Sequence, residues 1–74
     1  MKLFDAKKGE KVKVVKLNSN DSLKQRLFSL GIIRGAIIEI IDCAINKSTI
    51  KVKVGSTLVA LRDSEAKQIE VEAI

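Results

Sequence analysis

Catalysis at neutral pH needs a nucleophile or an acid beside a base, and this chain offers few such pairs. Its 74 residues include one cysteine, Cys43, and no histidine or tyrosine. Nucleophilic and acid–base chemistry usually recruits histidine or an activated lysine. No serine–lysine spacing stands out, and no histidine exists to hold Cys43 as a thiolate. Cys43 ends an apolar run and reads as a small buried hydrophobe. The same counts exclude a zinc site of Cys and His ligands. An oxygen-only site would draw on Asp5, Glu10, Asp42, Asp63 or Glu65, which follow no ligand spacing. Gly31-Ile32-Ile33-Arg34-Gly35 lacks both the Lys-Ser/Thr and the preceding strand of a phosphate-cradling loop. These residues point away from an enzyme, a metal and a cofactor, and leave binding.

Charge is the next candidate for binding chemistry. The net charge is +5, and it is uneven: residues 1–34 carry nine basic and three acidic side chains, residues 35–74 five and six. A basic half-chain can steer an acidic partner, nucleic acid or an anionic membrane surface. Lysines alternating with valine also make an ordinary solvated strand. Single-strand-binding barrels stack bases on aromatic rings, and only Phe4 and Phe28 are available. Charge without a stacking platform gives weak, salt-sensitive binding. A basic nucleic-acid or ribosome-associated module is therefore the rival reading, separable by salt dependence.

The elements that must carry these side chains are short. In residues 10–17, Val12 and Val14 alternate with lysines, the period of a half-buried strand. The phase slips at Val15, which predicts a bulge. Residues 18–21 form a turn cluster, and Ser22-Leu23-Lys24-Gln25 has the form of a capping box with Ser22 at the cap. Leu23, Leu27 and Leu30 follow at helical spacing, with Phe28 expected over the core. Gly31 is expected to stop the helix in the left-handed conformation, with Ile32 falling on Leu27. Gly35 supplies the positive φ of a tight turn. Residues 36–43 are apolar on nearly both faces, a central or curved strand. Asn46-Lys47-Ser48 reads as a turn, residues 49–54 as a strand, Gly55-Ser56 as a break and residues 57–61 as a strand. Asp63 is expected to cap a single helical turn, and residues 69–72 close with a strand.

The pattern predicts one mainly β domain spanning residues 1–74: a small SH3-like barrel of about five strands, with one short α-helix inserted after the first. Five short strands bury a common core best by closing on themselves. No apolar run approaches a membrane span, Asp5, Lys7 and Lys8 interrupt any secretory signal, and the lone cysteine fits a reducing compartment. The expected location is the cytoplasm.

Several blocks resemble one family. Leu27-Phe28-Ser29-Leu30-Gly31-Ile32-Ile33-Arg34-Gly35, followed by Ile37-Ile38-Glu39-Ile40, is similar to the central signature of the FeoA family, ferrous iron transport protein A. Val54-Gly55-Ser56-Thr57-Leu58-Val59-Ala60-Leu61-Arg62, then Ser64-Glu65-Ala66-Lys67-Gln68-Ile69-Glu70-Val71, resembles its closing motif. Leu3-Phe4-Asp5 through Gly9-Glu10 to Val14 fits its first strand. Two features depart from the family pattern: Arg34 stands where Pro is frequent, and residues 44–48 are not rich in Gly or Pro. The resemblance implies an SH3-like barrel and a role in bacterial ferrous iron uptake. The implied partner is FeoB, a membrane transporter with a cytoplasmic GTP-binding domain, met through that domain or through its membrane part. The same fold ends iron-dependent repressors, but the chain has no room for a helix-turn-helix, so a free-standing protein is expected. Lacking the favoured nitrogen and sulfur ligand set, it reads as an adaptor or regulator rather than a metallochaperone.

The candidate partner-binding residues are Lys24, Arg26 and Arg34, beside the helix and on the turn tip. Arginine is enriched at interface anchors, and each of the three reads equally as a solvated charge. Strand edges next to Gly55 leave a homo-oligomer open.

Overall fold

A computed structural model of the chain describes residues 1–43 and 48–74. The turn expected at Asn46-Lys47-Ser48 lies, apart from Ser48, outside the described residues. A 3₁₀ turn at Leu3–Asp5 precedes β1 (Lys11–Leu17), α1 (Asp21–Ser29), β2 (Ile37–Cys43), β3 (Thr49–Val54), β4 (Thr57–Arg62), α2 (Asp63–Ala66) and β5 (Ile69–Ala73). Every strand pairing is antiparallel, and the sheet runs in the order β4-β3-β2-β1-β5. The inserted helix follows the first strand, as the sequence suggests.

The expected barrel is not closed. β4 and β5 are the two ends of the sheet and do not pair with each other. The outer edge of β5, where β4 would have to dock, is taken by the start of the chain. Met1 accepts a hydrogen bond from the Val71 N–H (2.7 Å), and Lys2 bridges to Glu70. Leu3, Ala6 and Ala66 are fully buried there, and α2 packs against both β4 and the 3₁₀ turn. The opening is thus filled by side chains rather than sealed by a strand ladder. Patterning finds strands but not this plug, because Leu3-Phe4-Asp5 has no period to read.

One face of each strand builds the core. Val12, Val14, Ile38, Ile40, Ile50, Val52, Leu61, Ile69 and Val71 are buried with Leu3, Leu27 and Ile32. The register of β1 against β5 shifts between Val14 and Lys16, so Val15 is the extra residue. A second shift falls between Ile40 and Asp42 in β2. Such bulges bend a strand and let a short sheet wrap its own core.

Two caps differ from expectation. Helix α1 is capped by Asn20, whose Oδ1 accepts the Leu23 N–H at 2.9 Å, so Ser22 lies inside the first turn and caps nothing. Asn18-Ser19-Asn20-Asp21-Ser22 offers five capping side chains in a row, and composition cannot choose among them. In α2 the N-cap position is Arg62, and Asp63 is the first helical residue. The Arg62 N–H donates to Glu65 Oε1 at 2.9 Å, while Asp63 Oδ1 accepts from the adjacent Ser64 N–H. At the far end of α1, Gly31 has φ +85°. Its N–H donates to the Phe28 carbonyl (3.0 Å) and that of Ile32 to the Leu27 carbonyl (2.9 Å). Both bonds of a Schellman stop are present.

Candidate protein-docking groove

The turn after α1 sets the geometry of the surface beside it. The Ala36 N–H donates to the Ile33 carbonyl at 2.9 Å, and Gly35 has φ +92°. That places Arg34 at the tip of a type II-like turn, where the third residue needs a positive φ. The Gly35 N–H then donates to the Val14 carbonyl (2.8 Å), and the Val14 N–H to the Ala36 carbonyl (2.9 Å). The pairing of β1 with β2 ends at Lys13 and Ile37. Beyond Val14, β1 therefore has the turn and α1 on this side instead of a strand.

A groove of about 360 Å³ lies there. Val15, Lys16 and Leu17 line it from β1, Lys24 and Phe28 from α1, and Ile33 and Arg34 from the turn. Phe28 is 53% exposed and Ile33 48%. The expectation that Phe28 covers the core is corrected here. Leu27 takes the inward position and is fully buried, and one step of about 100° turns the next side chain outward. The signal was available: Phe28 falls one residue off the stripe of Leu23, Leu27 and Leu30.

The three basic candidates separate. Lys24 and Arg34 meet at the groove. Arg26 does not: its Nη1 forms an ion pair with Glu65 Oε2 and joins α1 to α2. No carboxylate lies within ion-pair distance of Lys24 or Arg34 among the described residues.

Five other lysines face carboxylates across strands. Lys11 and Lys53 both face Glu39, Lys13 faces Glu72, Lys16 faces Glu70 and Lys51 faces Asp42. Opposite charges on facing positions stabilise a sheet modestly. Much of the charge asymmetry of the sequence is thus folded into alternating rows, which is poor ground for a phosphate-binding face. Lys67 stands over the Phe4 ring, its Nζ 4.7 Å from the centroid. Gly55 has φ +62° in the two-residue link between β3 and β4.

Cys43 is half-buried, and its N–H bonds Asp42 Oδ1 at 2.9 Å. No three of His, Cys, Asp or Glu come together as a metal site among the described residues. Among them, no helix is long and apolar enough to cross a membrane.

An open five-stranded antiparallel sheet, with a plugged end and an apolar groove beside its one long helix, defines a small β domain. The FeoA domain model matches residues 1–73, and the chain belongs to the FeoA family. A Campylobacter jejuni protein described as an Fe(2+) transport protein A is 39% identical over 74 residues, covering 100% of both chains. The solution structure of a Chlorobium tepidum FeoA protein has a TM-score of 0.94 at 30% identity, over 100% of this chain and 70% of that one. The crystal structure of Stenotrophomonas maltophilia FeoA complexed with zinc has a TM-score of 0.85 at 29% identity, over 97% of this chain and 89% of that one. The zinc is that protein's. The present chain has no histidine, and no three of Cys, Asp or Glu come together among its described residues.

Proposed function

We propose that this chain is an accessory protein of bacterial ferrous iron uptake that docks, in the cytoplasm, on the cytoplasmic part of a FeoB-type transporter. The groove between β1 and α1 is the docking surface, with Lys24 and Arg34 at its rim. One observation carries this reading: of the exposed large apolar side chains, Phe28 and Ile33 share one groove with Lys24 and Arg34, whereas Met1, Ile37, Leu58 and Ile74 do not line it. Aromatic and arginine side chains gathered in one patch are typical of interface anchors. Family membership supplies the transport context. Docking would bias the transporter's opening or its nucleotide cycle, provided one state is bound more tightly than the other.

The test is a titration of the intact protein against the purified cytoplasmic domain of the transporter from the same organism. It is run at low and physiological salt, with and without guanine nucleotide. The expected result is binding that survives physiological salt and is lost in Phe28→Ala. Absence of binding in every condition, or unchanged binding by Phe28→Ala, would overturn the proposal.

A further inference from the structure

The groove carries information about what enters it. Its apolar surface comes from Val15, Leu17, Phe28 and Ile33, and all three of its charged side chains are cations: Lys16, Lys24 and Arg34. No carboxylate of the described residues lines it. Seven of the nine acids have a partner or a facing lysine elsewhere in the fold. Glu65 holds Arg26, while Glu39, Asp42, Glu70 and Glu72 face lysines across the sheet. Glu10 accepts the Lys7 N–H, and Asp63 the Ser64 N–H.

We infer that the groove recognises an acidic amphipathic peptide segment of the protein partner. Two apolar side chains enter between Phe28 and Ile33, and flanking Asp or Glu side chains pair with Lys24 and Arg34. This inference rests on the docking function proposed above and specifies its ligand. The size fits, since about 360 Å³ falls in the range of small concave sites lined by apolar groups with a few polar ones. The charges fit as well. An apolar groove alone would accept any greasy segment, and a cationic rim selects against basic ones, because like charges brought together oppose docking. Arginine gives the rim direction, because its planar fork can hold a carboxylate by two parallel hydrogen bonds.

The experiment uses the intact protein, isotope-labelled, and overlapping fluorescent peptides that together span the transporter's cytoplasmic part. The intact cytoplasmic domain and vesicles rich in phosphatidylglycerol are run alongside. Peptides that bind are expected to carry net negative charge and at least two apolar residues. They should move the amide signals of Val15, Lys16, Leu17, Ile33 and Arg34, and lose about tenfold in affinity to the double variant Lys24→Glu/Arg34→Glu. Arg34 is exposed and Lys24 half-buried, and neither has an ion-pair partner among the described residues, so this variant is expected to fold, and its dispersed amide spectrum checks that. Bound peptides that are neutral or basic, or shifts confined to another face, overturn the inference. So does vesicle binding without peptide binding. If the intact domain binds but no peptide does, and the double variant binds it as well as the parent, the acidic-segment inference fails while the docking function stands. If neither domain nor peptide binds, the docking function fails and the inference with it.

Discussion

The guanidinium of Arg26 reaches across from α1 to the carboxylate of Glu65 on α2, and the same carboxylate accepts the Arg62 N–H at the start of α2. One acidic side chain thus caps its own helical turn and holds the other helix. Glu65 is only 12% exposed, Arg26 50%. The pair is expected to stabilise the fold more through what is stranded on its removal than through attraction. Arg26→Ala leaves a largely buried carboxylate short of one partner and should cost about 1 kcal/mol. Glu65→Ala removes the cap acceptor too and should cost about 2 kcal/mol. Glu65→Gln, which keeps an acceptor oxygen, should fall between them. Urea unfolding followed by circular dichroism ranks the three, and equal losses for Gln and Ala would show that the cap bond contributes nothing.

Leu27 and Phe28 are neighbours in sequence and opposites in role. Leu27 is fully buried and Phe28 half-exposed. Leu27→Ala should lower stability by about 2–5 kcal/mol, the usual cost of a core truncation. Phe28→Ala should change it by about 1 kcal/mol or less while removing the docking anchor. A variant pair that split the other way, with Phe28→Ala unfolding first, would place the phenylalanine in the core and leave the groove without its anchor.

The plug at the open end of the sheet predicts a second sensitive site. Leu3 is fully buried where β4 and β5 fail to meet, although it lies two residues from the chain start. Truncating a terminal residue is ordinarily mild. Here Leu3→Ala should cost about 2–4 kcal/mol, and should raise hydrogen exchange at Val71, whose N–H is held by the Met1 carbonyl. Unchanged stability and exchange would show that the sheet holds itself without the plug.

Much of this fold is readable from period and punctuation. The Val–Lys alternation of residues 11–14 gave a strand, the slip at Val15 marked the residue where register shifts, and Gly31 marked the helix stop. What escaped has local causes. Closure of the barrel depends on whether two distant strands meet, and the side chains that intervene, Leu3, Ala6 and Ala66, are too few to show a period. Ser22 and Asp63 lost their capping places to neighbours of equal or unexpected fitness, Asn20 and Arg62. At the candidate site, Lys24 and Arg34 were legible as charges next to a helix. The groove was not, because it depends on β1 running past the end of β2. Arg26 was indistinguishable from them in sequence, since its partner Glu65 is distant along the chain.

Gly35 and Gly55 allow the turn's part in docking to be isolated. Both have positive φ, +92° and +62°, and an added Cβ would meet no atom within 4 Å at either. Alanine at either position should therefore cost only the backbone strain, about 1–2 kcal/mol. The consequences for binding differ. Gly35 shapes the turn that presents Ile33 and Arg34, and its N–H holds that turn to Val14. Gly55 lies outside the groove. Gly35→Ala should weaken binding of the transporter's cytoplasmic domain several-fold, with part of the loss recovered by Gly35→Asn, since asparagine tolerates the left-handed region better than alanine. Gly55→Ala, matched in stability by urea titration, should bind as the parent does. Equal weakening by both would mean that binding follows global stability, and that the turn bearing Arg34 plays no direct part.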